Sequence, residues 1–398
     1  MKKILFIVNN GKISPNENGG AAVYFSHLEL LHSLGYKIHL LAVQWGKDNL
    51  FIEEDYNEVT HLITSVNSFR IKHEGAVSKR SHLYHAIFKP EKFEYLFLNK
   101  SNHYFLTDFI QKNKIDMVWA EWRWAGFWAG FSKLSIPVFY AHHDWQFKVA
   151  KLRKKRNFLE LFHIFQKKRA EYKLVKKVTA CVSGSNTEAN EIEQVSRKKA
   201  MYLPTTYASI ENKLTKNNVP NIVHLGGMGT TANRVGLERF LDICWKEIKK
   251  ANPQTKLWVI GSIKQANDSL KIKLTNDRQI VCKGFVADLS TVLHPQDIHI
   301  IPWEYDTGTR TRLPVILNYQ QVLVATKASV AAFPEVRNQE NSVLCDDLDQ
   351  MTIAMNRLLT NESERVRLSN QGKEVFRKNF TVESRVKQLK EFIENTAQ

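Results

Sequence analysis

Residues Ile222–Ser262 read IVHLGGMGTTANRVGLERFLDICWKEIKKANPQTKLWVIGS, and this stretch decides the fold class. A short apolar run stops at Gly226, a helix is expected from about Val235 to Ala251, and a second apolar run stops at Gly261. Short apolar strands joined through a helix belong to a parallel sheet covered on both faces, because parallel neighbours need a long crossover. Downstream the alternation continues through QIVCKGFV (279–286), IHIIPW (298–303), VLVAT (322–326) and SVLCDD (342–347). Upstream it runs through KILFIV (3–8), KIHLLAV (37–43), DMVWAE (116–121), IPVFYAHHD (136–144) and KVTACVSGS (177–185). The class is α/β, in two doubly wound halves.

Residues 50–110 interrupt the pattern; irregular, aromatic and basic, they read as helices and an insertion. Between Met201 and Asn221 the chain is polar and carries two prolines, which reads as a linker. The expected organisation is a first domain at 1–205, a second at 221–380, and a last helix at 381–398 that crosses back to the first. Open parallel sheets bind ligands at the carboxyl ends of their strands, so a cleft between the two domains is the expected site.

The 398 residues are 43% hydrophobic and 24% charged, a soluble globular composition. MKKILFIVNN lacks the apolar length of a signal peptide and reads as a first strand. No run approaches the roughly 18 apolar residues of a membrane span. Cys181, Cys244, Cys282 and Cys345 form no C-x-x-C pair. They are expected to be buried free thiols in a reducing cytoplasm. The net charge of +17 calls for an anionic partner. Between Lys148 and Lys177 twelve Lys/Arg stand against Glu160 and Glu171, interleaved with leucine, isoleucine and phenylalanine. This predicts a basic amphipathic helix, suited either to an anionic membrane surface or to packing one apolar stripe on its own domain. No nucleic-acid-binding motif accompanies the charge, so no nucleic-acid partner is expected.

Three loops at strand ends join small residues to a helix start: Gly19 and Gly20, then Gly226, Gly227 and Gly229, then YDTGTRTR with Gly308, Thr309, Arg310 and Arg312. Glycine lets a ligand approach the backbone, a helix N-terminus favours an anion, and arginine adds charge-assisted bonds to phosphate. Arg312 has an alternative role as a salt bridge at the helix start. A P-loop, a G-x-G-x-x-G after the first strand, H-E-x-x-H and G-x-S-x-G are all missing, which sets aside ATP hydrolysis, ordinary dinucleotide binding, zinc proteases and serine hydrolases. His143 and Asp144 follow a central strand; the histidine suits a sugar or acceptor hydroxyl, with Asp144 fixing its tautomer, or a structural hydrogen bond. His142 is the alternative one residue away. Glu121 or Asp144 suits a general base if configuration inverts. Trp122, Trp124 and Trp128 suit stacking on a sugar ring or lipid, or helix core.

The order of segments resembles the GT-B glycosyltransferases, specifically glycosyltransferase family 4 (group 1). The resemblance rests on the opening stretch, on VCKGFVADLSTVLHPQDIHIIPWEYDTGTRTR (281–312) and on VLVATKASVAAFPEV (322–336). The first half fits more loosely, through the Gly-Gly loop, the strand ending HHD and KKRAEYKLVKKVTACVSGS. It implies two Rossmann-like domains facing each other across a cleft. It also implies transfer of a sugar from a nucleotide donor, held by the second domain, to a glycan acceptor held by the first: a lipid-linked oligosaccharide, a surface polysaccharide or a glycoprotein glycan. Gly226, Gly227, Asp306, Gly308, Thr309, Arg310 and Arg312 would hold the donor. Gly19, Gly20, Trp122 and Trp124 would hold the acceptor, with His143, Asp144 and Glu121 catalytic. No metal and no cofactor besides the nucleotide sugar is expected, because the arginines and helix dipole take the metal's part. The resemblance implies retention of configuration, while the thiols and the basic helix lead to the expectation of a cytoplasmic enzyme acting at the inner face of the membrane.

One motif departs from the family. Its glutamate pair, E-x7-E, falls on Thr307 and Val315, and neither is acidic. Glu304 or Asp306 lies near the first position. The departure admits two other readings, a non-catalytic GT-B partner subunit and a nucleotide-sugar epimerase of the same fold.

Overall fold

The computed structural model describes residues 1–46, 49–73, 79–152, 157–210 and 214–396. The chain divides into two compact units. The first comprises Met1–Thr205, Thr307–Thr309 and Arg385–Gln398, the second Thr206–Asp306 and Arg310–Ser384.

Seven parallel strands build the first unit: β1 (Lys3–Asn9), β2 (Lys37–Gln44), β3 (Ser65–Arg70), β4 (Met117–Glu121), β5 (Val138–His142), β6 (Ala180–Ser183) and β7 (Ala200–Tyr202). Their order is β3-β2-β1-β4-β5-β6-β7, so the winding reverses between β1 and β4, where such sheets open a crevice. Six parallel strands build the second: β8 (Ile222–Leu225), β9 (Leu257–Ile260), β10 (Ile280–Gly284), β11 (Ile298–Ile301), β12 (Val322–Thr326) and β13 (Val343–Cys345). The order β10-β9-β8-β11-β12-β13 reverses between β8 and β11. The central strands are buried on both faces, which is why they read as unbroken apolar runs. Leu5, Ile7, Val118 and Trp128 centre one core; Ile222, Phe240, Val259 and Val324 centre the other.

Four expectations need correction. Strand β3, SVNSFR, lies in the stretch read as helices and an insertion. Half-exposed at the sheet edge, it is held by backbone pairing to β2 and carries little apolar pattern. The helix after β8 begins at Thr231, because the Thr230 hydroxyl caps the Asn233 amide; it continues through a π turn at Leu241–Trp245 to Ala251. The basic stretch is two helices, Gln146–Ala150 and Phe158–Lys177. The second starts afresh at a capping box: Asn157 accepts from the Glu160 amide at 2.9 Å, and Glu160 accepts from the Asn157 amide at 3.3 Å. Arg153, Lys154, Lys155 and Arg156 lie outside the described residues. Finally, Cys282 is exposed while the other three thiols are buried.

The last helix, Val382–Thr396, has Phe392 edge-on to Phe139 at 6.2 Å and Arg385 over the Tyr202 ring at 5.4 Å. No helix among the described residues is long and apolar enough to cross a membrane.

Candidate active site

In the second unit, chemistry gathers at the carboxyl end of β8. Gly226 has φ +138°, a conformation open to glycine, and its amide donates to Ile260 at 2.8 Å. A methyl group there would meet Asn233 Nδ2 at 2.4 Å and Arg312 Nη1 at 2.8 Å. Arg312 Nη1 in turn donates to the Leu225 carbonyl at 2.6 Å and to the Asn233 side-chain oxygen. Asn233 donates back to the Gly227 carbonyl at 3.0 Å. One guanidinium thus ties the end of β8, the following helix and the helix Arg312–Asn318. Arg312 Nε has no hydrogen-bond partner among the described residues. Burial and the neighbouring Arg310 charge push the Arg312 pKa down to about 9, so an anion placed there would relieve it.

Two fully buried histidines stand in the central strands. Burial and the Arg312 charge hold His224 well below its ordinary range and His299 down to about 3, so both are neutral at pH 7. The two histidines therefore add no positive charge to that of the arginines. Val315, where the family pattern has a glutamate, packs against Val223, Ile260, Val292 and Leu293. Glu304 is taken by Arg239, and Asp306 is exposed. Gly308, at φ +70°, and Thr309 group with the first unit; Thr309 Oγ1 has no hydrogen-bond partner among the described residues.

In the first unit, Glu121 ends β4 with its carboxylate fully buried. Oε1 accepts from His27 Nδ1 at 2.6 Å and Trp119 Nε1 at 2.7 Å, while Oε2 accepts from His143 Nε2 at 3.0 Å. The next residue, Trp122, has φ +65°, a strained value for a bulky side chain. With Nε2 of His143 engaged by the carboxylate, Nδ1 is the ring nitrogen left for another partner. The His143 side chain remains 16% exposed and lies edge-on to Tyr24 at 5.7 Å. Glu121 holds the Nε2 side of this ring. Both Glu121 oxygens are engaged and the side chain has no exposure, a geometry that suits orienting His143 better than the general-base role read from the sequence. Half-buried Asp144 is not the partner of His143 Nε2. His142 is instead buried, with Nε2 3.1 Å from Glu188 and Nδ1 3.3 Å from the Tyr140 hydroxyl.

Trp122 and Trp124 are half-buried with centroids 5.2 Å apart, and the Arg123 guanidinium lies 4.7 Å over the Trp122 ring. Trp128 is core, its Nε1 donating to Asn102. Gly19 is exposed and opens a helix, but the Asn18 side chain already accepts from the amides of Gly20 (3.0 Å) and Ala21 (3.1 Å). An anion would have to displace that cap. Among the described residues no group of three or more His, Cys, Asp or Glu is arranged to hold a metal ion.

Residues 219–361 match a family model described as "Glycosyl transferases group 1". No curated protein matches the chain by sequence. Solved structures share the fold along the whole length. The Anabaena protein HepE, in complex with UDP and glucose, is 14% identical over 99% of this chain and 100% of its own, with a TM-score of 0.68. Sucrose-phosphate synthase from Thermosynechococcus elongatus is 13% identical over 99% of both chains at 0.70. TarM is 10% identical over 98% of both at 0.73. Residues 219–361 thus match the group 1 glycosyltransferases, and the chain shares the fold of GT-B glycosyltransferases.

The structure brings in several site residues that sequence reasoning missed. Asn233 is the second anchor of Arg312, and Gly261 (φ +123°) lets the loop after β9 pass against Gly226 and Gly227. His27 and Trp119 support Glu121. Only His27 had a sequence signature, a histidine within an apolar helix.

Burial alone would raise the Glu121 pKa; the positive field of His27 and the hydrogen bonds from His143 and His27 outweigh it and hold it near 2. A carboxylate held below its ordinary value contributes stability that is present above about pH 4.5 and lost as pH falls toward 2. The shift corresponds to about 3 kcal/mol. Glu121→Gln should therefore lower unfolding free energy by about 3 kcal/mol at pH 7, with the gap to wild type narrowing at pH 3 in urea titrations. A gap unchanged between the two pH values would refute the assignment.

Proposed function

We propose that the protein is a glycosyltransferase that moves a sugar from a nucleoside diphosphate held by the second unit to a glycan hydroxyl held by the first. The observation that carries this reading is the meeting of Arg312 with the Gly226 loop, beside Arg310, at the carboxyl end of β8. As the bond from the anomeric carbon to the diphosphate breaks, charge grows on the leaving group. Fixed guanidinium groups and a glycine-permitted backbone approach are suited to stabilise it. Asp306 completes the proposed donor set within the second unit, Gly308 and Thr309 adjoining it in sequence, and the arginines supply the charge a metal would bring, so transfer should persist in EDTA.

For the acceptor we assign His143 Nδ1 to the incoming hydroxyl and Trp122 and Trp124 to the sugar face, with Gly19 and Gly20 at the neighbouring helix start. The acceptor class is a lipid-linked oligosaccharide, a surface polysaccharide or a glycoprotein glycan, met in the cytoplasm. Retention of configuration follows the family resemblance. Val315 in an apolar cluster means that the ribose must be gripped by something other than a glutamate at that position.

A thermal-shift screen of nucleoside diphosphates and their sugars tests this, with UDP first because the HepE structure holds UDP and glucose. A ligand at a hundredfold excess over its Kd stabilises the folded state by about 2.7 kcal/mol. No shift with any nucleoside diphosphate would sink the donor assignment. Conversion of the donor with no acceptor present would point to epimerisation instead.

A further inference from the structure

The helix Phe158–Lys177 has two apolar faces, and only one is used inside the first unit. Ile164, Leu174 and Val175 are buried in its core. Phe158, Leu161 and Phe165, spaced i, i+3, i+7, are exposed, at 81% for Phe158 and 56% for Phe165. Beside them lies the helix Lys79–Phe88, whose Tyr84, Ile87 and Phe88 are exposed as well. Arg169 joins the two helices: its guanidinium lies 5.6 Å over the Phe165 ring and donates to the carbonyls of Ala86 (3.1 Å) and Ile87 (2.7 Å). The six apolar side chains therefore belong to one two-helix surface.

The charge around that surface has one sign. Residues 79–94, 146–152 and 158–177 carry twelve Lys/Arg against four carboxylates. Of those four, Glu171 is buried, Glu91 pairs with Lys173 and Glu94 with Lys167. Ammonium groups also lie over rings at the patch, Lys89 over Tyr84 at 5.5 Å and Lys168 over Tyr172 at 5.2 Å. Exposed aromatic and aliphatic side chains rimmed by cations match a surface that offers acidic headgroups above hydrocarbon.

We propose that this two-helix surface docks the protein on an anionic lipid bilayer, with Phe88, Phe158 and Phe165 entering the headgroup–acyl boundary and the lysines lying among acidic headgroups. The assignment stands apart from the sugar-transfer reading, since it uses no residue of the candidate active site.

Co-sedimentation of the full chain with extruded vesicles tests it. Binding to phosphatidylcholine vesicles containing about 30% phosphatidylglycerol should exceed binding to pure phosphatidylcholine by at least about tenfold and weaken with salt. The double variant Phe158→Ser with Phe165→Ser should bind acidic vesicles about tenfold less, and Phe88→Ser should also bind less. Circular dichroism and any nucleotide-induced thermal shift should be unchanged, which separates loss of docking from loss of folding or of donor binding. Wild type that ignores acidic vesicles, or variants that bind them as wild type does, would overturn the proposal. A concentration-dependent dimer in sedimentation velocity, lost in the double variant while vesicle binding is absent, would reassign the surface to a second copy of the chain.

Discussion

Arg312→Ala should lower kcat/KM for sugar transfer by about 10²–10³-fold, the cost of removing one preorganised stabiliser of developing charge. The same substitution should also lower the melting temperature, because Arg312 is part of the architecture. Its Nη1 holds the Leu225 carbonyl and the Asn233 side-chain oxygen, and each acceptor left unsatisfied costs about 1–3 kcal/mol. Arg312→Lys should recover little, since an ammonium cannot reproduce the planar fork that spans both acceptors. Arg310→Ala provides the contrast. It should cut activity comparably with a smaller loss of stability. Steady-state kinetics and melting curves on all three variants separate charge from scaffolding. Wild-type activity in Arg312→Ala would remove the arginine from the donor site.

Gly261→Ala should cost about 3 kcal/mol or more and abolish donor binding, whereas Gly227→Ala should leave the fold intact. At Gly261, with φ +123°, the added methyl would stand 2.7 Å from Gly226 C and Gly227 N. Those are backbone atoms, so relief requires moving the loop that carries the proposed phosphate contacts. A strained φ costs about 1–3 kcal/mol and overpacking a similar amount. At Gly227 the nearest atom would be the Ser262 carbonyl oxygen at 3.6 Å, an ordinary contact. A Gly227→Ala protein with wild-type urea stability but weakened nucleotide binding would identify this glycine as the place where ligand approaches the backbone. Equal nucleotide affinity in the two proteins would move the phosphates elsewhere.

Much of the second sheet can be read directly from the chain, because buried parallel strands must be apolar on both faces and their loops must turn. IVHL, LWVI and VLVAT announce themselves this way, and each is a strand. SVNSFR does not, since an edge strand draws its stability from backbone pairing and tolerates polar side chains. Asn233 and Gly261 gave no warning either. Their importance arises when the loop after β8 meets the loop after β9 and the Arg312 side chain, 79 positions beyond Asn233. The same holds for His27, which is 94 residues from the Glu121 carboxylate it supports.

Hydrophobic periodicity, glycine placement and charge were sufficient to establish the α/β class, the two parallel sheets and the arginines beside a strand end. These are local properties: a strand or a helix start is written in a few consecutive residues. Which side chain orients His143, and what holds Arg312, depends on groups that only folding brings within bonding distance. The two-faced helix Phe158–Lys177 shows the same limit. Its sequence pattern offers apolar residues all around the helix, and only packing decides that Ile164, Leu174 and Val175 are consumed by the core while Phe158, Leu161 and Phe165 remain exposed.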